Sequence, residues 1–197
     1  MALQALERHA LGLTWVVEEP LTRTSHALLA DGRVWLVDPV DEPEALEQAL
    51  ALGSPAGVIQ LLDRHNRDCA ALAARLGVPH HAVPDALPGT PFEVLRTVRL
   101  PRWRESSLWW GRERALVVAE ALGTNPVFTA GTGPVGVHPM LRLLPPRSLR
   151  DVVPDHLLVG HGPPVHGPDT APAIDRALRR ARRDLPRALL TAARSLR

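Results

Sequence analysis

Two short stretches of the sequence place residues that bind metals or transfer protons at the ends of apolar segments. The first, DRHNRDC, runs from Asp63 to Cys69, between an apolar run at 58–62 and an alanine-rich segment with helical spacing. The second, GHG, places His161 directly after an apolar run. Loops at the ends of strands commonly carry catalytic or ligand-binding residues. Carboxylate, thiolate and imidazole groups also bind zinc. Both stretches are therefore candidate site segments.

The elements that position these stretches follow from periodicity and turn residues. Short apolar segments bounded by turn residues predict strands at 13–19, 25–30, 33–39, 57–62, 78–83, 92–100, 106–111, 114–122 and 156–162. Helical spacing predicts helices at 42–53, 68–77, about 139–152 and 171–185, with Pro186 kinking or restarting the last one. Two strand ends carry one acid each, Asp38 and Glu120. An acid at the end of a buried strand indicates a site, although a solvated strand end explains either acid taken singly.

Composition restricts the class of protein. The chain has 197 residues, 45% of them hydrophobic, which is typical of a soluble globular protein with a sizeable core. No apolar stretch approaches the roughly 20 residues of a membrane span, so no membrane partner is expected. A single cysteine excludes an internal disulfide, and the first fifteen residues lack an apolar signal core. These features predict a cytoplasmic protein.

Charge is unevenly distributed, and every basic residue is arginine. Residues 171–197 hold eight arginines and two aspartates, a formal charge of +6, which leaves −4 for residues 1–170 out of the total of +2. We interpret 171–197 as a basic amphipathic helix that docks on the domain at 1–170 through Ile174, Leu178 and Leu185. Its arginines then face water, which predicts weak or undetectable nucleic-acid binding. Homodimer formation through an outer face or through the last helix stays open.

The order of elements resembles that of the metallo-β-lactamase superfamily over roughly residues 13–168. The markers are a strand ending in Asp38, the loop at 63–69 that opens a helix, the strand-end acid Glu120 and the late Gly-His-Gly with His161. The resemblance implies an α/β fold, a four-layer αββα sandwich of two mixed β-sheets. It also implies hydrolysis of esters, thioesters, amides or phosphoesters with one or two metal ions.

Several metal ligands of that family are replaced in this sequence. When the family loop Thr-His-x-His-x-Asp-His is aligned on the helix start, its first two histidines fall on Arg64 and Asn66. No histidine occurs near Arg104, where the family has a Gly-His. Arginine has no lone pair to donate, so one metal site is predicted to be absent. The positions of the second metal correspond to Asp68, Cys69, Glu120 and His161, all of which are able to bind zinc.

Three functions remain open from the sequence. In the first, the metal centre has eroded and no cofactor is bound. A cationic cluster of Arg64, Arg67 and Arg104 then lies opposite Asp68 and Glu120 and, together with Asn66, binds an anionic small molecule. This interpretation predicts that Arg64 contacts Asp68 or Glu120. In the second, Asp68, Cys69 and His161 hold one zinc, manganese or iron ion, and Glu120 assists hydrolysis. In the third, the chain is a binding module that acts through its C-terminal helix. Simpler roles also remain: Asp68 as a helix cap and Cys69 as core packing.

Overall fold

The computed structural model describes residues 2–18 and 22–195, in which two large β-sheets are the main elements. The first sheet has six strands in chain order: β1 (Leu3–His9), β2 (Gly12–Val17), β3 (Arg23–Ala30), β4 (Arg33–Val37), β5 (Ser54–Gln60) and β6 (His80–Ala82). The other strands are β7 (Glu93–Leu100), β8 (Trp103–Trp110), β9 (Ala115–Val118), β10 (Leu122–Gly123), β11 (Gly136–Val137), β12 (His156–Val159) and β13 (Val165–His166). The second sheet has the order β13-β12-β9-β8-β7, and β10 pairs separately with β11.

Both large sheets are mixed. In the first, β1 to β4 are antiparallel, whereas β4, β5 and β6 run parallel. In the second, β9 and β12 are parallel and the other pairs are antiparallel. The described helices are α1 (Pro43–Leu50), α2 (Cys69–Leu76), α3 (Pro126–Thr129), α4 (Thr170–Arg180) and α5 (Leu185–Ser195). The predicted four-layer αββα sandwich of two mixed β-sheets is confirmed.

The side chains of β4 show that the first sheet is covered on both faces. Its residues Val34 and Leu36 join the apolar cluster formed with α1 and α2, whereas Trp35 and Val37 join the cluster that contains the second sheet. Burial of one such side chain stabilises the fold by about 1.5–3 kcal/mol. Because both faces of β4 are covered, Asp38 directly after it is also buried.

Helix α2 fixes the end of the loop at 63–68. Alanines and leucines favour the helix, and Leu72 and Cys69 are buried on its inner face. Gly77 ends the helix with φ of 66°, a left-handed conformation that glycine adopts without strain. The predicted helix at 68–77 is confirmed.

The structure differs from the predictions at strand β1 and at residues 139–152. Strand β1 was not predicted, because a register shift between Leu3 and Ala5 disturbs its alternation of buried and exposed residues. The helix predicted at about 139–152 is wrong: two short 3₁₀ turns, Pro139–Leu141 and Arg147–Arg150, flank a Pro145-Pro146 pair that lacks amide donors. Glu19, the end of predicted strand 13–19, lies outside the described residues.

The C-terminal segment forms two helices instead of one. Pro186 lies in the first turn of α5, where proline is tolerated, so the prediction that it restarts the helix is confirmed. Ile174 and Leu178 are buried as expected, and Leu185 is partly buried. Residues 196–197 of the predicted segment lie outside the described part. None of the described helices is both long and apolar enough to cross a membrane.

Candidate metal centre

Three side chains meet where strands of both sheets end. His65 follows β5, whereas Glu120 and His161 follow the parallel strands β9 and β12. The Nε2 atoms of His65 and His161 are 3.3 Å apart. Glu120 Oε1 lies 3.4 Å from His65 Nε2 and 3.5 Å from His161 Nε2. Within the described residues, these three form the group of His, Cys, Asp and Glu side chains that could hold one metal ion.

The spacing of these atoms fits a tetrahedral metal ion. Bonds of about 2.0–2.1 Å at tetrahedral angles separate neighbouring ligand atoms by about 3.3–3.4 Å. The three observed separations of 3.3, 3.4 and 3.5 Å match this value without rearrangement. Two histidines and one glutamate also form a ligand set found in catalytic zinc sites, where a fourth position is left for water or substrate. The residues present therefore fit one zinc-like ion.

Both histidines are held by their other ring nitrogen. His65 Nδ1 donates to Asp38 Oδ2 at 2.9 Å, and His161 Nδ1 donates to the carbonyl oxygen of Thr22 at 3.0 Å. Such partners fix the orientation and tautomer of a metal-binding histidine and direct its Nε2 toward the ion. The arrangement thus orients two Nε2 atoms toward Glu120.

Asp38 is buried, and both of its carboxylate oxygens accept hydrogen bonds. Its Oδ1 accepts from the amide of Leu61 at 2.9 Å while Oδ2 accepts from His65. Burial acts to raise the pKa of Asp38, but the charge and hydrogen bond of His65 and the charge of Arg67 hold it below its usual range. For His65, burial and Arg67 act to lower the pKa, but Asp38 and Glu120 together raise it above 6.5. The two groups thus stabilise each other's charged forms.

Gly160, directly before His161, lies so close to Ala119 and His65 that no larger residue fits at this position. A Cβ atom at Gly160 would lie 2.5 Å from the carbonyl oxygen of Ala119 and 3.0 Å from Cε1 of His65. Real Cβ atoms essentially never approach backbone atoms so closely. Glycine therefore lets the end of β12 approach β9 and brings His161 next to His65.

Arg67 binds backbone carbonyls of both sheets. Its guanidinium donates to the carbonyl oxygens of Thr24, Asp38 and Gly160 at 2.6, 2.7 and 3.1 Å. The predicted ligand-binding residue Arg67 is therefore engaged by the protein itself, and it links three of the segments that surround the three ligand side chains.

Arg64 makes one of the two contacts predicted for it. Its Nη2 lies 2.5 Å from Glu120 Oε2, and its guanidinium lies over the Trp103 ring at 4.3 Å. Burial acts to raise the pKa of Glu120, but hydrogen bonds and charges of His161 and His65 hold it far below its usual range. Glu120 therefore uses Oε1 toward the histidines and Oε2 toward Arg64, so that these contacts do not compete for one oxygen.

We expect Arg64→Gln to lower the free energy of unfolding by about 1 kcal/mol. Arg64 has 43% of its side chain exposed, and exposed ion pairs and cation–π contacts each contribute about 1 kcal/mol or less. Glu120 keeps both histidines as partners in the variant. Urea unfolding in metal-free buffer measures the change, with exposed Arg104→Gln as the control. A loss of about 3 kcal/mol or more would show that Glu120 depends on Arg64 as its main cation.

The remaining predicted site residues lie outside the three-residue group. Asp68 Oδ2 accepts from the amide of Asp41 at 2.8 Å and makes no capping bond to α2. The buried Cys69 thiol donates to the carbonyl oxygen of His65 at 3.6 Å, and burial raises its pKa, so it is not a reactive thiolate. Asn66 Oδ1 accepts from Gln60, and Arg104 is exposed on β8. Of the four predicted ligands, Glu120 and His161 are grouped, whereas Asp68 and Cys69 are not.

Sequence reasoning missed His65. The alignment counted back from the helix start and gave this histidine a position without a role. The loop instead turns at His65, whose amide donates to the carbonyl oxygen of Leu62 at 2.9 Å, and Arg67 takes a φ of 38°. A signal was present, since His65 is the one histidine in the DRHNRDC stretch.

Glu105 was also missed, although it lies directly behind the site. It is fully buried, its Oε1 accepts from the amides of Glu120 and Ala121 at 3.0 and 2.9 Å, and Oε2 accepts from Trp103 Nε1 at 3.2 Å. Burial raises the pKa of Glu105 to about 7. It fixes the backbone of Glu120 and the ring beneath Arg64. Only its inward position in the alternation of β8, between Trp103 and Ser107, could have indicated this role.

The sandwich of two mixed sheets is the metallo-β-lactamase fold, as comparison with solved structures shows. A metallo-β-lactamase from Erythrobacter litoralis described as NDM_FIM-1 like, in a mono-zinc form, superposes with a TM-score of 0.59 at 14% identity, covering 91% of this chain and 96% of that one. A second E. litoralis metallo-β-lactamase gives a TM-score of 0.58 at 11% identity and covers 93% and 95%. The DIM-1 metallo-β-lactamase gives 0.58 at 10% identity and covers 95% and 100%.

These similarities establish the fold of the chain. Neither a protein-family profile nor a curated protein sequence matches it. Its chemistry must therefore be inferred from its own residues.

Proposed function

We propose that the chain binds one divalent metal ion through His65, Glu120 and His161 and hydrolyses an ester, thioester or phosphoester. The observation that carries this proposal is the spacing of the three ligand atoms, 3.3–3.5 Å, together with a hydrogen-bond acceptor on each histidine Nδ1. Two imidazoles and one carboxylate favour zinc, with manganese or iron as alternatives. This ligand set replaces the one inferred from alignment, since His65 takes the place of Asp68 and Cys69.

The chain's own residues supply the rest of the proposed site. A bound metal ion would lower the pKa of a water molecule and polarise the scissile carbonyl or phosphoryl group. His65 and His161 present Nε2 while Asp38 and the Thr22 carbonyl hold their rings. Arg64, half-exposed above Glu120, is placed to bind an anionic or developing negative oxygen of the substrate.

His138 adds a neutral imidazole beside the proposed site. Burial lowers its pKa to about 4, and its Nδ1 accepts from the amide of Met140 at 3.2 Å, so the proton is on Nε2. Its ring packs edge-on against Trp103 and Phe128, and Phe128 stacks on His161. Phe128 thus covers one face of the His161 ring, and apolar surroundings of this kind strengthen electrostatic interactions.

The second candidate function is metal-free binding of an anionic small molecule. The Arg64–Glu120 pair favours it, because a cation already neutralises part of the carboxylate charge. The two candidates make opposite predictions about metal content.

We expect protein purified without chelator to contain about one divalent metal ion per chain. Zinc added at about 100 times its dissociation constant should stabilise the metal-free protein by about 2.7 kcal/mol. Metal analysis and thermal melting measure both effects. Hydrolysis of chromogenic ester, thioester and phosphoester probes should disappear with chelator and return with metal.

The matched pair of variants is His161→Ala and His156→Ala. His156 lies at the other end of β12 and is hydrogen-bonded to His166. The His156→Ala variant therefore controls for metal that binds to histidines outside the proposed site. His161→Ala should lose the metal and the hydrolysis, and His156→Ala should keep both. A wild-type protein that neither contains metal nor melts higher with zinc, manganese or iron would reject the metal proposal and leave the anion-binding function.

A further inference from the structure

A cleft lined by four arginines lies outside the candidate metal centre. Arg147 and Arg150 come from the second 3₁₀ turn, Arg179 comes from α4, and Arg182 follows α4. The cleft has a volume of about 460 Å³, within the range of about 300–1,000 Å³ that small-molecule sites occupy. It shares no residue with the candidate metal centre.

Positive charge in this cleft is incompletely neutralised. Arg179 pairs with Asp175 at 2.7 Å. In the part of the chain that the structure describes, no carboxylate pairs with Arg147, Arg150 or Arg182. One acid against four arginines leaves a charge of +3 around the cleft. Like charges that line one cleft repel one another, so the arrangement is more stable when an anion is present.

One of the four guanidinium groups is held in place by the backbone. Arg182 Nε donates to the carbonyl oxygen of Leu143 at 2.9 Å, which connects the segment after α4 to the segment before the second 3₁₀ turn. Among the residues that the structure describes, the terminal nitrogens of Arg182 make no hydrogen bond, so they remain available for a ligand. Its partner residue Leu143 and the next residue, Leu144, are both exposed.

Apolar residues complete the lining of the cleft. Leu144 and Pro145 lie on one side, and Leu178 of α4 lies on the other. Guanidinium groups bind phosphate oxygens through two parallel hydrogen bonds, whereas leucine and proline side chains pack against uncharged groups. The lining therefore suits a ligand with a strongly anionic part and an apolar or aromatic part.

We propose that this cleft binds a small molecule that carries two or more phosphate groups, such as a nucleoside diphosphate or triphosphate. Two phosphate groups bring about −3 to −4 at neutral pH, which balances the +3 of the cleft. A concave site of this size favours a small ligand over nucleic acid, which needs an extended basic surface. Such a surface is interrupted here, because Arg179 and Arg180 of α4 pair with Asp175 and Asp184. The proposal does not depend on metal binding at His65, Glu120 and His161.

The test is calorimetric titration of the full chain with pyrophosphate, ADP and ATP in buffer containing a chelator. Chelator keeps metal from carrying phosphate to the other site. We expect the wild-type protein to bind all three probes and to bind the nucleotides more tightly, with affinity falling as salt rises. Arg147→Gln/Arg150→Gln should weaken binding at least tenfold. Arg183→Gln removes an exposed arginine from the same segment but outside the cleft, and should change affinity less than twofold.

Thermal melting without ligand separates binding from folding. Because Arg147 and Arg150 are exposed and repel the other two arginines, the double variant should melt at the same temperature as the wild type or higher in low salt. The proposal is overturned if the wild type binds none of the three probes below millimolar concentration, or if Arg183→Gln weakens binding as much as the double variant. Tighter binding to a DNA duplex or to anionic lipid vesicles than to ATP would also overturn it.

Discussion

Asp38→Asn is expected to lower the free energy of unfolding by about 3–5 kcal/mol, the usual result of removing one partner from a buried charge pair. The carboxylate accepts hydrogen bonds from the Leu61 amide and from His65. An asparagine amide must turn its own N–H group toward one of these two donors. His65 and Arg67 also lose their buried counter-charge, and because Asp38 is only 2% exposed, solvent screens little of this loss.

The loss should depend on pH in a defined direction. The lowered pKa of Asp38 contributes stability that is present above its ordinary value of 3.8 and is lost as pH falls through the folded value. The raised pKa of His65 contributes stability that is present below 6.5 and is lost as pH rises through the folded value. In metal-free protein the difference between wild type and variant is therefore largest between these two ordinary values.

Urea unfolding at about pH 5 measures this difference. Asp41→Asn is the matched control, since Asp41 forms an exposed ion pair with Arg75 and should contribute about 1 kcal/mol or less. Equal losses in the two variants would mean that the His65–Asp38 pair is not the buried pair described above.

His65→Ala is expected to weaken zinc binding by about 100-fold or more, whereas Cys69→Ser should change it less than about threefold. Loss of a residue that only orients a ligand already weakens metal binding by about 10–100-fold, and His65 supplies a ligand atom in the proposed site. Cys69 is buried, bonds to the His65 carbonyl and keeps a raised pKa. Its thiol is not among the three grouped ligand atoms.

Competition with a chromophoric chelator measures both affinities well below the melting temperature of each variant. Asp68→Asn serves as the second control, because its carboxylate bonds to the Asp41 amide instead. Zinc lost with Cys69→Ser and Asp68→Asn but kept with His65→Ala would restore the ligand set inferred from alignment.

The sequence predicted the parts of this site that depend on strand ends. Asp38, Glu120 and His161 each follow an apolar strand, and parallel pairing of β9 with β12 brings the last two together. Glycine before His161 was visible in the motif. The strands were predicted from local features of the chain, and the fold was implied by the resemblance of their order to that of the metallo-β-lactamase superfamily.

The features that the sequence did not predict depend on the conformation of a loop and on contacts between residues that are distant in the sequence. The direction of His65 follows from a turn inside a polar loop, where neither alternation nor helical spacing applies. The role of Glu105 depends on the amides of Glu120 and Ala121, which follow β9 and lie fifteen and sixteen residues further along the chain. The helix expected at about 139–152 was predicted from the helical spacing of its apolar residues. The adjacent prolines Pro145 and Pro146 prevent a helix there, and the prediction did not take them into account.

The contacts of Arg67 bear on whether the protein folds before or after it binds a metal ion. Its hydrogen bonds to three carbonyls hold the strand ends together with a charge that belongs to the chain itself. The frame around His65, Glu120 and His161 is thus complete once the chain has folded. Folding would come first and metal loading second, in contrast to small zinc domains that are unfolded until the metal arrives. With the proposed metal site, a shortage of zinc would leave a folded protein that is able to take up the ion without passing through an unfolded chain.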